Sequence, residues 1–367
     1  MKKRVWDRSI KANSDFGYAT GRIRVREGQL LSRDALLRLA SAGTEQAEWN
    51  QILNQASYPP AASIRERLHA MLESNDAFLL EVADQTALPR VLLLEYDYHH
   101  LKVMLKTWLL SLRQVADEQA EQANLQALLL SQQTLFRAHA PTEPERLARW
   151  LAARLAKLEP SVSIAEDLAT RVNQVLEELP TDAEVAAVDR RLDRAYYGHL
   201  EALARTDEAK PFRDLLLDYL AIQADSANLQ SFYRLRKVRA QPQDLKREWV
   251  PGGQLKLASL EANFHATEQA IAELLRSSGS LIAGLARDLG YQRSEDWTQF
   301  SRERDNLLLR LASGSSQTPY GPEIPFGFWL GRVMEVRNLR IILAGLERGL
   351  ESDEIAQYLR DDYRRRY

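Results

Sequence analysis

The sequence predicts an all-α protein, and three observations carry that prediction. Helix-forming Ala, Leu, Glu, Gln and Arg are abundant, whereas the 367 residues include only 16 Gly and 13 Pro. Alternating Val/Ile/Thr runs joined by Asn-Gly or Asp-Gly turns, which would indicate strands, are missing. Helix start signals recur in the form of capping boxes, in which an N-cap hydroxyl is followed by a carboxylate three residues later. These boxes begin at Thr142, Ser163 and Thr181.

The C-terminal end shows the same helical punctuation. Gly349 is placed to close one helix, because glycine adopts the left-handed conformation at helix ends without strain. Ser352 can open the next helix, with Asp353 and Glu354 in its first turn and Arg360 late in it, as the helix macrodipole favours. The pattern predicts a short final helix.

Composition excludes several classes of function. Lys+Arg 49 against Asp+Glu 51 gives a net charge of -2, which argues against a nucleic-acid partner. There is no cysteine, and hence no disulfide, thiolate metal site or cysteine nucleophile. No signal peptide and no apolar run of roughly 18 residues is found, so we expect any membrane contact to be peripheral. A P-loop, G-x-x-x-x-G-K-[ST], does not occur either.

One segment occurs three times. "YDYHHLKVMLKTWLL", "ADSANLQSFYRLRKV" and "MEVRNLRIILAGLER" each contain an acid, then His or Asn three residues later, then Leu. A proline lies upstream of each, where its fixed φ suits a first helical turn. The recurrence predicts three helical modules, at residues 1–135, 136–250 and 251–367. The recurring residues are Asp97, His100 and Leu101; Asp225, Asn228 and Leu229; and Glu335, Asn338 and Leu339.

The first copy, "LLLEYDYHHLK", also invites a metal-site interpretation. On a helix, however, Glu95 and His99 project within roughly 40° of each other, while Asp97 and His100 lie on nearly the opposite face. The copies argue against a metal as well, because Arg337 stands where the first copy has His99. We therefore assign no catalytic, cofactor-binding or metal-binding residue.

The three acids are better explained by structure. Each shares a helical stripe with apolar side chains, so we expect it on or beside a buried face. A buried carboxylate needs partners, because its desolvation is costly. Backbone N–H groups at a neighbouring helix end, an arginine, or the Asn/His one turn along are the candidates.

Several segments resemble the C subunit of the archaeal and bacterial V/A-type rotary ATPases, which is related to the eukaryotic d subunit. "FGYATGRIRVREGQLLSRDALLRLA" is similar to the opening helix of that family, with Tyr18, Arg22, Arg24 and Glu27 at the expected places. "LLLEYDYHHLKVMLK", "RRLDRAYYGHL" and "FGFWLGRVMEVRNLRIILAGLERGL" resemble the signatures of the three modules, in the right order. The departures are His100, where the family usually has Asn, and Gln230, which replaces a basic residue.

The resemblance implies three helical modules about a pseudo-threefold axis, forming a funnel. It implies a cytoplasmic subunit without catalysis or cofactor, peripheral to the membrane, which couples the rotating central shaft to the membrane rotor ring. Two alternatives stay open: a generic helical scaffold that binds a partner helix, and a helical-bundle enzyme using Glu95/His99 or the acid pair Asp361–Asp362. Arg22 and Arg26 share a helix face that is either solvated or in contact with the shaft or ring.

Overall fold

The computed structural model describes residues 16–43, 45–83, 86–112, 144–155, 165–178, 185–285, 297–313 and 319–363. Within these ranges every regular element is a helix, which confirms the all-α prediction. The predicted caps Thr142, Ser163 and Thr181 lie outside the described residues.

Three of the described α-helices are 25 or 26 residues long, and these three carry the recurring segment. In chain order they are α1 (Gly17–Glu27), α2 (Arg33–Ala42), α3 (Gln46–Gln55), α4 (Ile64–Ala83), α5 (Ala87–Leu112), α6 (Pro144–Leu155), α7 (Ala165–Glu177), α8 (Val185–Ala204), α9 (Arg213–Lys237), α10 (Leu245–Glu248), α11 (Leu257–Ala262), α12 (Glu268–Ser277), α13 (Trp297–Ser313), α14 (Glu323–Glu347) and α15 (Ser352–Tyr358).

By compactness the chain divides into two units. Unit 1 comprises Met1–Leu88, Ala204–Leu245 and Gly252–Tyr367, and unit 2 comprises Pro89–Leu203 and Lys246–Pro251. The division into three modules stays a prediction, because similarity between segments and compactness are different criteria.

The two ends of the chain share one hydrophobic core in unit 1. Apolar side chains of α2, α3 and the start of α4 pack against the second half of α14 and against α15. Trp49 and Leu53 on one side and Leu339 and Ile342 on the other are fully buried. Burial of this apolar surface is the main favourable contribution to the association of these segments.

The final helix begins as predicted but ends earlier. Gly349 has φ 71°, and it closes α14 with a hydrogen bond from its N–H to an α14 carbonyl. Ser352 is the first residue of α15, with Glu351 as the N-cap. Arg360, expected late in this helix, instead lies beyond its last residue, Tyr358, in an extended segment. The Arg360 side chain there makes a buried contact with Asp305.

In unit 2, α5 packs beside α8 with polar contacts along its length. Lys102 Nζ lies 2.5 Å from an Asp193 carboxylate oxygen, and Lys106 Nζ lies 2.6 Å from Asp189. Both ion pairs are partly exposed, so each contributes little to stability and mainly fixes the alignment of the helices.

A buried Tyr–His pair lies deeper between the same helices. Tyr98 Oη lies 3.3 Å from His199 Nδ1, and His199 is almost fully buried. Burial lowers the pKa of His199 to about 3, and the charges of Arg171 and Arg90 act in the same direction. His199 is therefore neutral in the folded protein over the whole physiological range.

This pKa predicts acid sensitivity. Unfolded His199 takes up a proton near its ordinary pKa of 6.5, whereas the folded residue resists protonation until about pH 3. The unfolded state therefore binds more protons between these values, and this histidine removes about 1.4 kcal/mol of stability for each pH unit below 6.5. Urea unfolding of His199→Phe at pH 6.5, 5.5 and 4.5 should show a flatter pH dependence than the native chain. The exposed His99→Gln variant is the control, and an unchanged slope in His199→Phe would contradict the assignment.

Candidate functional site: buried acids that bind turns

The structure buries the recurring acids of all three long helices. Asp97 on α5, Asp225 on α9 and Glu335 on α14 are each buried. The leucines of the recurring segments are buried as well, as are Asn228 and Asn338. His100 is only partly buried. The recurring segment is thus the inward-facing stretch of each long helix.

Asp225 accepts hydrogen bonds from a turn that leads into α11. The Leu255 N–H donates to Oδ1 at 3.0 Å, and the Ser280 hydroxyl donates to Oδ2 at 2.5 Å. Burial raises the pKa of Asp225, while the hydrogen bonds from Ser280, Leu255 and Gln254 oppose that rise. The carboxylate therefore holds the turn and the segment after α12 against α9.

Gly253 allows the turn to come this close. A Cβ at this position would lie 2.0 Å from Asp225 Oδ1, far inside any allowed contact. Glycine is needed at this position because any side chain would clash with Asp225. Its conformational freedom is not the reason, since its φ does not lie in the left-handed region.

Glu335 makes the corresponding contact from α14. The Leu31 N–H donates to one carboxylate oxygen at 2.5 Å, and the Tyr58 hydroxyl donates to the other at 2.6 Å. Arg332, one turn earlier on the same helix, donates to that second oxygen at 2.5 Å. Burial, together with the charge of Glu335, raises the pKa of Tyr58 well above its ordinary range, so the phenol stays a donor.

The two turns have related sequences. Gly28-Gln29-Leu30 precedes α2, and Gly253-Gln254-Leu255 precedes α11. In each case a backbone N–H at or next to this leucine donates to an acid of a long helix. We call these two contacts the acid–turn contacts. Sequence analysis missed them, although the repeated Gly-Gln-Leu was a signal that could have revealed them.

The residue one turn along from the acid has a separate role. Asn338 accepts a hydrogen bond from the Arg360 N–H at 2.8 Å and donates to the Arg360 carbonyl at 3.2 Å. Of the expected partners of Glu335, the structure therefore supplies a backbone N–H and an arginine. Asn338 instead fixes the segment after α15.

Another buried acid, Asp305 on α13, also binds the segment after α15. Arg337 Nη1 donates to Oδ2 at 2.6 Å and Arg360 Nε donates to it at 2.9 Å, while Arg304 donates to Oδ1. Burial alone would raise the pKa of Asp305, but the charges of Arg304 and Arg337 hold it below its ordinary value. Sequence analysis did not single out Asp305. It identified Arg337 only as the residue at the position of His99 and did not predict that Arg337 binds an acid.

The described part of the chain places the residues of the metal interpretation in different environments. Glu95 and His99 are exposed, and Asp97 is buried. Across the described ranges, no three His, Asp or Glu side chains lie close enough together to hold a metal ion. None of the described helices combines the length and the apolar run that crossing a membrane needs.

These features define a class: a helical protein whose repeated long helices are tied to turns by buried acids. The comparison with known families identifies the class further. The model of the ATP synthase (C/AC39) subunit family matches residues 19–358, and the chain belongs to this family.

Individual relatives agree with that membership. The C subunit of the A-type ATP synthase of Desulfurococcus sp. (strain SY) is 25% identical over 179 residues, 48% of this chain and 47% of the relative. The subunit of the same name from Haloquadratum walsbyi is 29% identical over 174 residues, 46% and 48% of the two chains. These two matches span about half of each relative's length. The Thermococcus onnurineus subunit is 22% identical over 359 residues, 94% of this chain and 90% of the relative.

The acid–turn contact at Asp225 can be tested by removing the carboxylate. Asp225→Ala leaves the Leu255 N–H and the Ser280 hydroxyl without their acceptor. We expect a loss of about 2–4 kcal/mol in the free energy of unfolding, measured by urea titration. Asp207→Ala, an exposed acid in the same unit, should change stability by less than about 0.5 kcal/mol. Equal stability of the two variants would rule out the role.

The steric role of Gly253 gives an independent test. Gly253→Ala should destabilise by about 2 kcal/mol or more, because the new methyl group overlaps the Asp225 carboxylate. Gly284→Ala is the matched control, since a Cβ there meets nothing within 4 Å. In an Asp225→Ala background the cost of Gly253→Ala should shrink, and a double-mutant cycle measures this coupling. Strict additivity would contradict direct contact.

Proposed function

We propose that the chain is a non-catalytic central-stalk subunit of a V/A-type ATP synthase/ATPase, which couples the rotating central shaft to the membrane rotor ring. Family membership over residues 19–358 carries this proposal. The names of the relatives assign them to A-type ATP synthases, and the Thermococcus onnurineus subunit aligns along nearly its whole length. The subunit would lie on the cytoplasmic side and reach the membrane through the ring.

We further propose that the three modules close about a pseudo-threefold axis. Asp225 of the second module binds a turn at the start of the third, and Glu335 of the third binds the turn that follows α1 in the first. A contact that always runs from one copy to the next closes into a ring when the rotation between copies is suitable.

The mechanical role follows from the physical nature of these contacts. A coupling subunit must transmit torque without yielding, and α14 alone extends about 38 Å at 1.5 Å per residue. Buried hydrogen bonds to a carboxylate resist separation of the segments that they join, because groups left unpaired in a dry interior are costly. Such contacts favour a body that turns as a whole.

The proposal is tested with the full chain and two purified probes, the solubilised rotor ring and the shaft subunit. Binding to both is expected. Omitting the chain from a reconstituted complex should leave ATP hydrolysis by the catalytic part intact while ion transport is lost, and adding it back should restore transport. A correctly folded chain that binds neither probe, or ion transport that continues without it, would refute the coupling role. Binding to a helical partner outside the complex would instead favour the scaffold alternative.

A further inference from the structure

The outer face of α1 carries the two most exposed large apolar side chains of the described residues. Tyr18 is 74% exposed and Val25 is 73% exposed. They lie seven residues apart, so two helical turns bring them to the same face. Gly21, between them on this face, is exposed too. We call this face, with Tyr18, Gly21 and Val25, the α1 stripe.

Gly21 has no packing role within the described part of the chain. A Cβ at this position would meet nothing within 4 Å, and its φ is not in the left-handed region. Glycine in a helix interior is less favourable than alanine, so neither sterics nor helix stability accounts for it. A glycine at this position would be explained by a second helix lying across α1, because the absence of a side chain lets the backbone of that helix approach closely.

Positive charge flanks the stripe. The Arg22 guanidinium binds Glu81 and lies over the Tyr18 ring, 5.6 Å from its centroid. Arg26 lies over the Phe78 ring at 3.6 Å. Burial lowers the pKa of Arg26, the charges of Arg22 and Arg332 lower it further, and the carboxylate of Glu81 opposes the shift. Arg22 and Arg26 share the carboxylate of Glu81, which leaves positive charge in excess between them for an acid from outside.

We propose that the outer face of α1 is the docking site for an acidic amphipathic helix of the central shaft, with an apolar ridge across Gly21 and a carboxylate at Arg26. The inference rests on the proposed function and names one of its contacts. The charge of the site selects an acidic partner, and Tyr and Arg are the residue types that contribute most to binding at protein interfaces.

The test measures the Kd of the full chain for the purified shaft subunit by calorimetry. Tyr18→Ala, Gly21→Leu and Arg26→Gln should each weaken binding about tenfold or more. Val238→Ala and Tyr320→Ala, at exposed positions elsewhere in unit 1, should leave it unchanged. Arg26→Gln should also reduce the salt dependence of binding. Gly21→Ala adds a distinctive readout, a higher melting temperature together with weaker binding.

The outcomes separate this inference from the proposed function. If the native chain binds the shaft and the three α1 variants bind equally well, the docking site is wrong while the coupling role stands. If the variants lose affinity only for the ring, the site is likewise wrong. If the native chain binds neither shaft nor ring, both proposals fail.

Discussion

The structure of unit 1 depends on one constraint: a carboxylate that leaves water must find donors. Glu335 lies beside the core that joins the two ends of the chain, and its donors come from Leu31, Tyr58 and Arg332. Two of these three precede it by more than 250 residues. The apolar surfaces of α2, α3 and α14 can exclude water only when this charge is satisfied. Hydrophobic burial thus supplies the driving force, and the acid determines which segments meet.

Sequence patterns identified the helices and the burial of the acids, because periodicity reports which face of a helix is apolar. They could not identify the partners of those acids. A backbone N–H has no residue signature, so the Leu31 and Leu255 contacts leave only the indirect trace of a repeated Gly-Gln-Leu. The arginines that bind Asp305 are equally hard to foresee, since Arg337 and Arg360 lie 32 and 55 residues away. Their pairing depends on the tertiary structure alone.

The first recurring segment shows why an internal comparison is more informative than a local motif. Glu95, Asp97, His99 and His100 resemble a ligand set when they stand alone. The third copy places Arg337 at the position of His99, and that arginine binds Asp305. One position of the repeat therefore serves a surface in one copy and a buried ion cluster in another. The acid and the leucine are buried in all three copies, so they report the fold rather than a chemistry.

The proposed coupling role needs a stiff body and a surface that recognises a partner, and we assign these two needs to different residues of unit 1. Asp225, Glu335 and Asp305 are buried and bind several donors each, so the segments they join cannot slide without leaving charges unpaired. On α1 the polar groups remain near the surface, where Arg26 stacks on Phe78 and shares the charge of Glu81 with Arg22. A guanidinium held in place by a ring loses little freedom when a carboxylate arrives. Arginine thus binds a buried acid of the chain itself at Asp305, whereas at Arg26 we assign it a carboxylate of the proposed partner.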